Sequence, residues 1–141
     1  MEYRKLGSSD LNVSVVGLGT NNFGGRLTEH ADSARVLHEA IDLGVNLIDT
    51  AIGYGGGESE VHVGHATKDR RDKVLIATKF RGEIPEGRTI AQHVYDQCEI
   101  SLGRLQTDYI DLYQIHWPNF SLPAEALLEP LQKLVEQGKV R

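Results

Sequence analysis

Short apolar runs alternate along nearly the whole chain with longer stretches whose apolar residues recur at helical spacing. Two short polar strands near residues 3–6 and 11–13 flank Gly7-Ser8-Ser9-Asp10 and predict a hairpin. Val15-Val16-Gly17-Leu18-Gly19 has the composition of a strand buried on both faces. A helix is expected over about 29–43, capped by Thr28 and ended by Gly44, with Val36, Leu37, Ala40 and Ile41 as its apolar stripe. Further strands are expected at 45–49, 73–79 and 109–115, and a helix at 59–67. Thr89 and Gln92 have capping-box spacing, ahead of a helix that buries Ile90, Val94, Cys98 and Leu102. The last helix, about 124–137, contains Pro130, which should kink or split it. Lys139-Val140-Arg141 begins what reads as another strand.

A hairpin (about 3–13) and four βα units (about 15–137) in one domain, 1–141, imply an α/β fold with four parallel strands and right-handed crossovers. A doubly wound sheet and part of a TIM-type (β/α)8 barrel both satisfy that order. The polar residues favour the barrel. Asp49 closes the second strand and Tyr54 follows in its loop; Lys79 closes the third strand and His116 the fourth. In a barrel, residues at the C-terminal ends of strands converge on one mouth. Alternation then turns Leu47 and Val45, Ala77 and Leu75, and Gln114, Leu112 and Ile110 inward beneath them. A dinucleotide-fold reading of Gly17-Leu18-Gly19 fails because Asn22 stands where a third glycine belongs. Gly53-Tyr54-Gly55-Gly56-Gly57 lacks the Gly-Lys-Ser/Thr of a phosphate loop.

A phenol beside an ammonium gives up its proton more readily, because the positive charge favours the phenolate. A carboxylate keeps the ammonium charged and oriented, and an imidazole can hydrogen-bond a carbonyl oxygen. The set suits protonation of an oxygen as charge develops on it. The hydride for such a reduction must come from a cofactor, since no side chain supplies one.

Gly44-Val45-Asn46-Leu47-Ile48-Asp49-Thr50-Ala51, then Tyr54 to Glu60 and Gly64, resembles the first signature of the aldo-keto reductases. Ile76-Ala77-Thr78-Lys79 and the run from Asp108 through His116, Trp117 and Pro118 are similar to the next two landmarks, and Leu134 to Arg141 to the approach to the fifth strand. The resemblance implies the N-terminal half of a TIM barrel. It implies Tyr54 as proton donor, Lys79 as the partner that lowers its pKa, Asp49 as counter-ion and His116 as orienter of the carbonyl. It places Gly19, Thr20, Asn21 and Asp49 near the nicotinamide, Trp117 in the substrate pocket, and NADPH as the cofactor for reducing an aldehyde or ketone.

The parts of that family which grip the rest of the nucleotide do not map onto these residues. Weak NADPH binding and weak or absent turnover are therefore expected of the 141 residues alone. Bare sheet edges and an uncovered inner face lead to the expectation of a homodimer. A non-catalytic oligomeric half-barrel that binds a small ligand, or serves an interaction role, remains the alternative.

The net charge of −5 offers no basic footprint for nucleic acid or an anionic membrane. No apolar run approaches the ~18 residues of a spanning helix, and the first residues lack the apolar stretch of a signal peptide. Cys98, the only cysteine, fits a buried thiol in a reducing, cytoplasmic setting. His62 and His65 sit three apart with Glu58 four before His62; a metal site is conceivable there, but the helix is short and polar, so a solvated face is the reading and no metal is assigned. His30, His38 and His93 read as isolated surface residues.

Overall fold

The computed structural model describes residues 1–117 and 119–141; Pro118, which closes the fourth-strand motif, lies outside them. An antiparallel hairpin, β1 (Tyr3–Lys5) and β2 (Asn12–Ser14), precedes a parallel sheet. That sheet consists of β3 (Gly17–Gly19), β4 (Leu47–Asp49), β5 (Leu75–Phe80) and β6 (Leu112–Ile115), in sequence order. The helices are α1 (His30–Asp42), α2 (Glu58–Thr67), α3 (Ile90–Leu105) and α4 (Glu125–Glu136). Each strand-to-strand connection carries a helix on the same side of the sheet, which is one half of a (β/α)8 barrel.

Register sets the two faces. Gly17 pairs with Leu47 and Leu47 with Leu75; one step on, Gly19 pairs with Asp49, Asp49 with Ala77 and Ala77 with Leu112. On the alternate positions, Ile48, Ile76, Thr78 and Phe80 are fully buried. The apolar ones form one core with Leu37, Val63, Val94 and Leu105 of the helices. Leu47, Leu75 and Leu112 are half-buried and Gln114 is exposed, so the concave face is the open one. Helices pack on their chain neighbours, α1 on α2, α2 on α3 and α3 on α4. Gly64 permits the second contact: a Cβ there would lie 2.5 Å from the Leu105 carbonyl carbon.

Several expectations change. Val15 and Val16 lie outside β3 and are about half exposed, at 48% and 54%. They precede an edge strand and have no second sheet neighbour to bury them. α1 is capped by Glu29 without a side-chain bond, and Thr28 lies outside the helix. Leu37 is buried but Val36 is exposed, because Ser33 and Leu37, four apart, form the inward line. Pro130 does not split α4; it lies within one helix and is itself buried with Leu127 and Leu134, so packing outweighs the one lost donor. Ile110 is not on an uncovered face. It is fully buried, its N–H bonds the Lys139 carbonyl at 2.9 Å, and its carbonyl accepts from Arg141 at 3.0 Å. The start of a fifth strand position is therefore present as a parallel bridge between Ile110 and Val140. The capping box forms as expected, with Gln92 N–H to Thr89 Oγ1 at 3.2 Å and Thr89 N–H to Gln92 Oε1 at 3.1 Å. Cys98 is buried, and burial pushes its thiol up to about 11.

Candidate active site

Asp49 ends β4, Lys79 lies one residue before the end of β5, and His116 directly follows β6. Tyr54 opens a short 3-10 turn, Tyr54–Gly57, between β4 and α2. The parallel register brings these positions to one end of the sheet. Lys79 Nζ donates to Asp49 Oδ1 at 2.7 Å and to the Thr50 carbonyl at 2.8 Å. The same nitrogen lies 5.1 Å from the centre of the Tyr54 ring. Tyr54 meets His116 edge to face, with ring centres 5.4 Å apart. His116 in turn stacks on Trp117, nearly parallel at 7° and 5.4 Å. All four expected polar groups thus meet, and Trp117 joins them from an exposed position.

The turn that carries Tyr54 requires its glycines. Gly55, Gly56 and Gly57 all have positive φ, a conformation that disfavours any Cβ. Added side chains would also meet neighbours: at Gly55 the Phe23 carbonyl oxygen at 2.7 Å, at Gly57 the Arg104 guanidinium carbon at 2.4 Å. Arg104 braces this loop from α3. Its Nη1 donates to the Ile52 carbonyl at 3.0 Å and reaches Glu60 Oε2 at 3.4 Å. Glu60 is fully buried and accepts from Thr78 Oγ1 at 2.7 Å. Glu60 falls in the signature run that follows Tyr54, but nothing in the sequence ties Arg104 to this region.

A second hidden support is a cluster of hydroxyls. Thr20 Oγ1 bonds the Asp49 carbonyl at 3.0 Å and Ser59 Oγ at 2.8 Å, and Ser59 Oγ also lies 2.9 Å from Thr50 Oγ1. Of the positions expected at the nicotinamide, Gly19 and Asn21 are exposed and Thr20 is fully buried. The Thr20 side chain therefore ties the ends of β3 and β4 to α2 and is closed to an outside ligand. Beside Gly19 there is open space, with nothing within 4 Å of an added Cβ.

A cleft of about 620 Å³ opens against this group, lined among others by Tyr54, Arg81, Ile84, His116 and Trp117. Ile84 and Arg81 come from the loop after β5, where no motif or spacing marks a site residue. Burial and the nearby Lys79 ammonium lower the His116 pKa, with Arg81 adding to the effect and Asp49 and Glu83 opposing it. The imidazole is then neutral at pH 7 and keeps one N–H to donate. By proton NMR, the His116 ring is expected to titrate below the ordinary imidazole value of about 6.5. A midpoint above that value would contradict the lowering by burial and Lys79.

Residues 15–141 match the model of the Aldo/keto reductase family. The chain belongs to that family. It is 39% identical to the aldo-keto reductase YhdN of Bacillus subtilis (strain 168), covering the whole chain and 45% of that protein. The holo form of an aldo-keto reductase from Bacillus halodurans superposes with a TM-score of 0.88 at 36% identity, over 100% of this chain and 48% of that one. An aldo-keto reductase from Klebsiella pneumoniae in complex with NADPH gives 0.82 at 37% identity, over 92% and 44%. The chain therefore spans about half the length of the relatives it matches. The half it spans holds the strand-end group and the cleft.

Proposed function

We propose that this chain supplies the acid–base half of an NADPH-dependent reduction of an aldehyde or ketone to an alcohol. The observation that carries the reading is Tyr54 set between Lys79 Nζ, 5.1 Å from its ring, and the His116 ring at 5.4 Å. In the proposed reaction His116 donates a hydrogen bond to the carbonyl oxygen and orients it. Tyr54 passes its hydroxyl proton to that oxygen as negative charge develops there. The Lys79 ammonium, held by Asp49, offsets the charge left on the phenol oxygen. Trp117 and Ile84 give the substrate's carbon skeleton an apolar wall. A nicotinamide cofactor, when bound, would supply the hydride that the carbonyl carbon needs. Gly19, Asn21 and Asp49 are the residues here that would hold it, since the open space at Gly19 lets a flat ring approach the β3 exit.

These contacts reach one end of the cofactor only. The 141 residues alone are therefore proposed to bind NADPH far more weakly than a whole barrel, and to reduce carbonyls slowly at high cofactor concentration. Self-association through the outer edge of β3 and the open concave face, and a cytoplasmic location, complete the proposal. Among the described residues β3 pairs only with β4. A fluorescence titration with NADPH, oxidation of NADPH with a panel of aldehydes, and sedimentation at low concentration test these points together. Submicromolar NADPH binding by a monomer would contradict the assignment of weak binding and association. A small ligand that copurifies, without any turnover, would favour a non-catalytic half-barrel instead.

A further inference from the structure

Away from the cleft, a different set of side chains comes together where α1 meets α2. His30 opens α1, Glu58 opens α2, and His62 lies one turn along α2. Glu58 and His62 are four apart, so they share a helix face, and the packing of α1 on α2 lays His30 over that face. Ligand atoms of the three residues lie within 4.8 Å of one another. The His30 and His62 ring centres are 4.1 Å apart.

His62 is not on a solvated face. It is 2% exposed. Its Nδ1 is bonded to the hydroxyl of Ser33, also buried, at 2.8 Å, which leaves Nε2 for another partner. An imidazole that binds a metal commonly has its second nitrogen fixed by such an oxygen, which sets both tautomer and ring orientation. His30 is not isolated either, since it lies against His62 and is 5.1 Å from the ring of His65.

We propose that His30, Glu58 and His62 form a three-ligand site for a divalent transition metal, zinc foremost. Two imidazole nitrogens and one carboxylate oxygen suit zinc, and three protein ligands leave a fourth tetrahedral position for water. Ligands on a tetrahedral zinc sit ~3.4 Å from each other, given bonds of about 2.0–2.1 Å. Closing the cluster to that spacing asks most of Glu58, whose side chain is exposed and free to swing.

The site would tie α1 to α2 beside the turn that presents Tyr54. Glu58 directly follows the Tyr54–Gly57 turn. Gly24, in the loop after β3, packs so closely on Glu58 that a Cβ there would lie 2.2 Å from the Glu58 Cβ. The Phe23 ring lies 6.4 Å from that of His62. A bound metal therefore clamps α1 to α2 and stiffens the base of the turn that presents Tyr54.

The test is titration of the metal-free 141-residue chain with zinc alone, against a chromophoric chelator. Cobalt absorption reads the geometry, and thermal unfolding is followed with and without zinc. One zinc per chain, a tetrahedral cobalt spectrum and a raised unfolding midpoint are expected. His30→Ala and Glu58→Gln alter accessible positions, and each should weaken zinc binding by more than about tenfold and remove the thermal shift. His38→Ala, on another part of α1 where the ring bonds the Ala66 carbonyl, is the control and should bind as the parent does. If one variant loses its helical signal, the other carries the comparison. No stoichiometric binding, or binding unchanged in both variants, would overturn the site.

Discussion

Tyr54→Phe is expected to lower NADPH-dependent aldehyde reduction by roughly 10²–10⁴-fold, the usual span for losing a positioned general acid. The substitution removes one oxygen and leaves the ring, so the contacts with Lys79 and His116 that hold the loop persist. Cofactor affinity should change little, because the groups proposed to hold the nicotinamide lie at the exits of β3 and β4. The loss should fall on turnover rather than on KM for NADPH, as it does when a group acts only in the transition state. Lys79→Met should be nearly as damaging and should also release Asp49, whose carboxylate accepts from Lys79 Nζ at 2.7 Å. Combining the two changes should cost little more than either alone, since proton donor and ammonium act as one unit. Turnover that survives Tyr54→Phe would remove the acid–base assignment, whatever the fold.

Most residues that alternate along a strand or recur along a helix are legible from periodicity, which determines which way they face, although Val36 turns out of the α1 stripe and Val15 and Val16 fall outside β3. Asp49, Lys79 and His116 all lie at or beside the C-terminal ends of strands, so parallel register was enough to bring them together. What periodicity cannot show is a polar contact between distant segments. Arg104 reaches Glu60 across 44 positions and Thr20 reaches Ser59 across 39. Nothing in the spacing of those residues marks their pairing, yet these contacts hold the Tyr54 loop and the strand ends. The same limit explains His30 and His62. In sequence His30 looks like an isolated surface histidine and His62, with Glu58 and His65, like part of a solvated helix face, and only the approach of α1 to α2 makes His30 and His62 neighbours. Pro130 failed as a breaker for a related reason: local propensity was outweighed by burial of one face of α4.

The end of the sheet opposite the cleft carries the largest expected effect on stability. Asp111→Ala should lower the free energy of unfolding by about 3–5 kcal/mol, the range for removing one partner of a buried ion pair, read as a fall in the urea midpoint. The Asp111 side chain is 1% exposed and accepts from Arg71 Nη2 at 2.7 Å, Arg141 Nη1 at 2.8 Å and the Ile76 N–H at 2.9 Å. Arg71 is fixed further by the Tyr109 carbonyl at 2.9 Å and lies 4.0 Å over the Tyr109 ring. One carboxylate therefore joins the start of β5, the approach to β6 and the residues that follow α4. Taking it away leaves a mostly buried guanidinium and a buried backbone donor without their acceptor, and that uncompensated desolvation is the source of the loss. Arg141→Ala should cost no more than about 1 kcal/mol, because its side chain is 41% exposed and Arg71 still pairs the carboxylate. If both substitutions cost the same small amount, the charge is solvated in solution and does not organise this end of the sheet. If Asp111→Ala alone is severe, the loss should appear as global unfolding with the cleft chemistry intact in the molecules that remain folded.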